Sequence, residues 1–272
     1  MSLFHIDENK CVRCGICAEE CPAKIIDEVN AYPVPAHDAD ELCIRCGHCV
    51  AVCPKDALFH EDMNPEDCAL ILKELAVGGD QAEQLLRSRR SIRNFKNQKV
   101  EKELLDRIIT TANHAPTGHN SQGVKFMVVY EPEDVQKYAG MVVDWMRVMI
   151  KEQPQMAAEW HWELVVQHWD AGMDRICRGA PHVIVAYGDK SNLMNQASCT
   201  IALAYLEIAA QSMGLGTCWA GYFDIGARYW PPMTQALGFP EGHACFGAMM
   251  AGYPKFKYHR IPVRKNPEIL FK

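Results

Sequence analysis

The 272-residue chain contains no stretch approaching roughly 18 uninterrupted apolar residues, the length a helix needs to cross a bilayer. Its opening, MSLFHIDENK, lacks the basic segment and apolar run of a secretory signal. No basic tract is long enough to anchor the chain at a membrane surface, and no G-x-G-x-x-G dinucleotide fingerprint is present. Together these absences lead us to expect a soluble cytoplasmic protein that does not engage a membrane. Disorder is not the default reading, since the 49% of residues that are hydrophobic are ample for a packed core.

The net charge of -6 is unevenly spread. Residues 1–80 carry 6 Lys and Arg against 16 Asp and Glu, whereas the remainder carries 22 against 18. An acidic front half argues against nucleic acid as a partner, which calls for a basic stripe.

Thirteen cysteines without a secretory context point to thiols and metal ligation, not to a disulfide framework. Eight fall into two matching runs. CVRCGICAEECP holds Cys11, Cys14, Cys17 and Cys21 before Pro22, and CIRCGHCVAVCP holds Cys43, Cys46, Cys49 and Cys53 before Pro54. Both have the C-x2-C-x2-C-x3-C-P spacing of bacterial two-cluster ferredoxins, where the fourth cysteine ligates the other cluster. Applied here, Cys11, Cys14, Cys17 and Cys53 hold one [4Fe-4S] cube, and Cys43, Cys46, Cys49 and Cys21 hold its neighbour. Three closely spaced thiolates wrap three corners of a cube, while the fourth comes from a segment that has already turned away. A pair of zinc sites is the alternative, but zinc takes four ligands from two C-x2-C pairs and has no use for the third, evenly spaced cysteine. The repeat implies a small pseudo-twofold domain over residues 1–62 in which the clusters substitute for much of a core, because about 60 residues bury little apolar surface alone.

Asn64-Pro65 reads as a helix N-cap and first-turn pair, opening a helical connector over residues 63–80 that Gly78-Gly79 stops. Asp80 with Glu83 reads as the capping box of the next helix. Beyond it, EKELLDRIITTANHA has a helical apolar face, and QASCTIALAYLEIAAQSMGLG is a buried helix ending at Gly214 or Gly216. VKFMVVY, HVIVAY and CFGAMMAGY are apolar runs suited to buried strands. This alternation predicts an α+β domain over residues 81–272, a sheet layered with helices.

RSRRSIRNF, residues 87–95, gathers four arginines around Ser91. A solvated basic face is one reading. The other is a phosphate cradle, with planar guanidinium forks making bidentate contacts and the hydroxyl adding a donor. The front domain favours the second, because clusters pass electrons singly and most organic reductions need a pair. A flavin stores two, and FMN carries a phosphate.

The back domain resembles the FMN-dependent nitroreductase family in RRSIRNF, APTGHNSQ, GLGTCWAGYF, and MAGYP followed by HRIP. The resemblance implies that Arg89, Ser91 and Arg93 contact the FMN phosphate, ribityl chain and pyrimidine edge, assisted by Arg90. It implies a homodimer in which Thr117, Gly118 and Asn120 reach the partner subunit's flavin. Ala220 and Gly221 would lie against the flavin near N5, and Arg260 would close on the phosphate. Two departures stand out: glycine follows Gln122 where many members have Pro-Trp, and alanine stands at 220 where some relatives place glutamate.

Residues 141–175 hold four of the six tryptophans and five methionines, suited to lining a pocket for a flat aromatic or to packing. His119 lies in the proposed flavin loop, as a surface residue or a proton donor. His161 and His168 are two helical turns apart, but no carboxylate or cysteine completes a metal set. Cys68, Cys177, Cys199, Cys218 and Cys245 read as reduced, buried small residues, with Cys218 a candidate redox residue.

The expected function is an FMN-dependent oxidoreductase passing electrons from two [4Fe-4S] clusters to FMN and on to a small acceptor such as a nitroaromatic or quinone. The donor is a ferredoxin or NAD(P)H; in one alternative NAD(P)H reduces FMN directly and the clusters are the outlet. In another the chain is an electron-transfer or redox-sensing module without a small substrate.

Overall fold

The computed structural model describes residues 2–272, which divide into two compact units. One comprises residues 2–76 with 119–121, the other residues 77–118 with 122–272. No helix among the described residues is long and apolar enough to cross a membrane.

In the first unit, β1 (Phe4–Ile6) pairs antiparallel with β4 (Leu58–His60), and β2 (Ile26–Val29) with β3 (Tyr32–Pro35). Three short helices complete it: α1 (Ile16–Glu20), α2 (Ala39–Leu42) and α3 (His48–Ala51). The repeat is visible in the backbone. Gly15 and Gly47, each after the second cysteine of its run, take φ of 71° and 72°, turning the chain into α1 and α3. The core is small, built on Leu3, Phe4, Ile26, Val50 and Leu58.

The predicted helix after Asn64 does not form. Asn64 and Asp67 do make a capping box, but only single 3-10 turns follow, at Pro65–Asp67 and Lys73–Leu75. The physical reason is exposure: Leu70, Ile71 and Leu75 are 82, 97 and 72% accessible. A short helix with nothing to bury its apolar face does not sustain itself in water. Cys68 is likewise exposed, not buried as expected. The next helix, α4 (Gly79–Ser88), starts two residues early, with the Gly78 N–H donating to Gln81 Oε1 in place of the Asp80–Glu83 box.

The second unit is a four-stranded antiparallel sheet ordered β5 (Lys125–Val129), β6 (His182–Asp189), β8 (His243–Gly252), β7 (Gly216–Trp219). Successive strand residues point to opposite faces, and here both faces are covered. Val183, Val185, Ala248 and Met250 pack with α6 (Pro132–Glu152), α8 (Trp162–Asp170) and α10 (Gly221–Tyr229). Ile184, Ala186, Met249 and Ala251 pack against α5 (Lys102–Ala112) and α9 (Asn195–Ser212). Double burial is why these strands read as continuous apolar runs without alternation. α9 is apolar beyond the face it buries: Cys199, Leu203, Leu206 and Ala210 pack in this layer, while Ile201 and Tyr205 are 38 and 45% exposed.

The glycines after α9 are divided between two tasks. Gly214, at φ 79°, turns the chain out of the helix as expected, whereas Gly216 opens the edge strand β7, which the sequence did not announce. A four-residue strand among glycines carries too few alternations to be recognised.

The tryptophan- and methionine-rich segment packs. Trp145, Met146 and Trp162 are buried, with the two indole rings 4.9 Å apart, while Met156, Trp160 and Met173 of the same segment are exposed.

His182 is fully buried between layers. Its Nδ1 donates to the Tyr130 carbonyl at 2.7 Å and its Nε2 accepts the Val100 N–H at 2.8 Å, the tautomer being fixed because that amide only donates. Burial, aided by the Lys99 charge, lowers its pKa below the usual histidine value. Because the folded form resists protonation, the stability tied to neutral His182 is complete above the unfolded pKa of about 6.5 and declines as pH falls toward the lower folded value. Urea midpoints measured from pH 8 to 5 are expected to fall, and to fall less in a His182→Gln protein.

Candidate functional site

Two cavities in the first unit are lined by the repeated cysteines. Cys11, Cys14, Cys17 and Cys53 surround one, and Cys21, Cys43, Cys46 and Cys49 surround the other, so each draws its fourth cysteine from the opposite run. Among the described residues no three His, Cys, Asp or Glu side chains converge closely enough for a single ion. Thiols arranged about a hole suit a polynuclear cluster better than a zinc ion. Backbone N–H groups of Arg45 and Ala57 point at Cys43 and Cys53 Sγ, at 3.4 and 3.3 Å. Burial pushes the thiols of Cys17 and Cys43 up, and that of Cys49 to about 11, so ligation must displace protons that the apolar setting holds on sulfur.

In the second unit the arginine segment leaves α4 and is pinned by backbone bonds. Ile92 N–H donates to the Thr217 carbonyl of β7 at 2.8 Å, Lys96 N–H to Tyr253 at 2.8 Å, and Lys255 N–H to Asn94 at 3.0 Å. Gly216 permits this approach, since a Cβ there would stand 2.6 Å from the Ile92 side chain. Arg89 then reaches Glu207 of α9 at 2.9 Å, and one turn further on Gln211 donates to the Leu85 carbonyl and to Ser88 Oγ. The result is a cavity of about 470 Å³ whose charged lining comprises Arg89, Arg90, Lys96, Lys255 and Lys257 against the single carboxylate of Glu207. Ile92, Leu215 and Phe256 supply apolar wall. Such a cavity suits a ligand with an anionic end and an apolar body.

The predicted FMN contacts are distributed as follows. Arg89 and Arg90 line this cavity; Ser91 and Arg93 lie near Cys218 on β7. Arg260 is exposed and absent from the lining, because the chain after β8 brings Lys255 and Lys257 there first. Thr117 accepts the Gln122 N–H, and Gly118 packs on Met194. Asn120 belongs to the first unit, its amide donating to the Ile44 and Arg45 carbonyls. Ala220 is 1% exposed and its N–H donates to the Ala248 carbonyl, so that amide is engaged; Gly221 is exposed, with open space beside it. His119 is on the surface. Burial pushes the Cys218 thiol up despite nearby Arg93 and Arg178, the opposite of an activated thiolate.

Glu207, Gln211, Lys96, Lys255 and Lys257 were not foreseen. Glu207 offered one signal, a lone acid in an otherwise apolar helix. The lysines offered none beyond ordinary surface charge.

A sequence-family model described as "Nitroreductase family" matches residues 86–253. The chain belongs to the nitroreductase family. It is accordingly an oxidoreductase, and a model described as "4Fe-4S dicluster domain" matches its residues 10–58. Iodotyrosine deiodinase 1 of Homo sapiens is 26% identical over 206 residues, covering 72% of this chain and 68% of its own length. Among solved structures, a nitroreductase with bound FMN from Bacteroides fragilis aligns at a TM-score of 0.58 and 17% identity, over 71% of this chain and 99% of the other. A second, from Desulfitobacterium hafniense and also with FMN bound, aligns at 0.55 and 24% identity over 68 and 93%. These likenesses support the nitroreductase fold.

The Arg89–Glu207 pair leaves Glu207 only 9% exposed at the side chain, with Arg89 at 23%. Arg89→Ala strands a buried carboxylate and is expected to cost roughly 2–4 kcal/mol, below the upper range for wholly buried pairs because Arg89 retains some solvent. Glu207→Gln, which keeps an acceptor, is expected to cost less; urea denaturation of the two variants measures the difference.

Proposed function

We propose that this chain carries electrons from two [4Fe-4S] clusters to FMN and on to a small oxidised aromatic acceptor, working as a homodimer. The observation that supports it best is the pairing, in one chain, of cysteine cavities that exchange their fourth thiol with a nitroreductase-family unit bearing an arginine- and lysine-lined cavity. In this reading Cys11, Cys14, Cys17 and Cys53 ligate one cluster, and Cys21, Cys43, Cys46 and Cys49 the other.

FMN, when bound, accepts electrons singly and releases them as a pair. The chain's own residues do the rest. Arg89, oriented by Glu207, and Arg90 present cations to the phosphate, and Lys255 and Lys257 neutralise its second charge. Ser91 and Arg93 extend toward the ribityl and pyrimidine end, and the exposed backbone of Gly221 replaces the engaged Ala220 amide beside N5. Thr117 and Gly118 serve the partner subunit's flavin. The acceptor is a nitroaromatic, a quinone or, by analogy with iodotyrosine deiodinase 1, a halogenated aromatic. A ferredoxin-type one-electron donor feeds the clusters.

Arg89 is a poor probe of flavin binding because its loss also destabilises the fold. Arg93→Ala and the double Lys255→Ala, Lys257→Ala protein are better: each is expected to lower FMN occupancy at least tenfold in equilibrium dialysis, and full occupancy in both would remove this cavity from the reading. For the clusters, Cys53→Ala is expected to remove the cube held by Cys11, Cys14 and Cys17 while sparing the one held by the rest of its own run. Iron and sulfide analysis with electron paramagnetic resonance distinguishes the two. Anaerobic stopped-flow mixing is expected to bleach the flavin with a reduced ferredoxin. Bleaching by NADH or NADPH alone at the same rate would make the clusters an outlet instead.

A further inference from the structure

The two cysteine runs are near repeats, yet the residue seven positions beyond the fourth cysteine differs: Glu28 follows Cys21 and His60 follows Cys53. Glu28 is exposed, whereas His60 is 4% exposed and lines the cavity of Cys21, Cys43, Cys46 and Cys49. We propose that His60 donates a hydrogen bond to the Cys43 thiolate and so raises the reduction potential of the cluster in that cavity, a device its neighbour lacks. This inference rests on the cluster assignment of the preceding subsection.

The hydrogen-bond arithmetic fixes the direction. The Asp62 backbone N–H lies 3.2 Å from His60 Nδ1, and an amide can only donate, so Nδ1 accepts. A neutral imidazole has one ring proton, which therefore sits on Nε2. Nε2 is 3.6 Å from Cys43 Sγ, within range of an N–H···S bond. The ring cannot readily swing away: His60 ends β4, its backbone registers with Phe4 of β1, and its N–H donates to the Met63 carbonyl.

The consequence is electrostatic. Reduction adds a negative charge to the cluster and its thiolates, and a donor aimed at a ligating sulfur stabilises the reduced form more than the oxidised one. Nearby ionic groups act less directly. Arg45 is paired at the surface with Glu61 and Asp62, and its counterpart Arg13 bonds the Tyr32 hydroxyl. All are solvent-screened, while His60 is 4% exposed. Glu28 at the matching position carries only acceptors when ionised and cannot supply an equivalent bond. The donor thus breaks the symmetry of the repeat and biases the first electron toward the Cys43 cluster.

The test is a potentiometric titration followed by electron paramagnetic resonance on the full chain, purified anaerobically with iron and sulfide quantified. His60→Leu and His60→Phe both remove the donor while filling the space differently, so failure of one to assemble leaves the other. One of the two midpoint potentials is expected to fall by an amount equivalent to about a tenfold change in reduction constant, about 59 mV for one electron. The other should stay in place. His60→Gln, which retains an N–H, should recover part of the shift, and Glu28→Leu should lower neither potential. Unchanged potentials in both donor-free variants, with two full clusters present, overturn the inference alone. Iron content below two cubes in the unmodified chain overturns the underlying cluster reading and the inference with it.

Discussion

Burial of the central sheet on both faces is the constraint on which the second unit depends. Because the middles of β6 and β8 are apolar on both faces, helices are needed on either side, and α9 must be apolar along the face it lays against them. That leaves little room for charge on α9. Glu207 is tolerated there because Arg89 reaches it, and the same ion pair fixes the arginine segment along the edge of the layer. An element of the fold and an element of the candidate site are therefore one interaction.

The edge strand β7 shows how closely backbone and site are linked. Its Thr217 carbonyl holds Ile92, its Gly216 makes space for the Ile92 side chain, and its Cys218 sits beside Ser91. The chain that continues from β8 brings Lys255 and Lys257 to the same cavity. Cations from two chain segments far apart in sequence thus face one volume, and one carboxylate keeps the nearest of them in place. Their mutual repulsion is the reason such a cavity favours an anion.

The first unit follows a different economy. Its apolar core is short, and its loops turn on two glycines in the left-handed region so that cysteines from both runs surround each cavity. Interlocking of this kind couples the halves, since neither cavity is complete without the other run. His60 then distinguishes two sites that the repeat would otherwise make alike.

Local pattern was enough for much of this. Cysteine spacing, the apolar runs of β5, β6 and β8, the apolar length of α9 and the arginine segment are readable because each is a short-range signal with a chemical reason. The connector was misread because a capping box starts a helix but does not sustain one; whether Leu70, Ile71 and Leu75 find a surface to cover is not a property of the local sequence. Lysines 255 and 257, Glu207 and His60 acquire their roles only from the folds that carry them to a cavity. The sequence by itself determined which chemistry the chain can hold, because thiol spacing and guanidinium clustering are local. Tertiary structure alone decided which charges share a cavity, which amides remain free and which sulfur receives a donor, because those depend on contacts between residues that the chain separates.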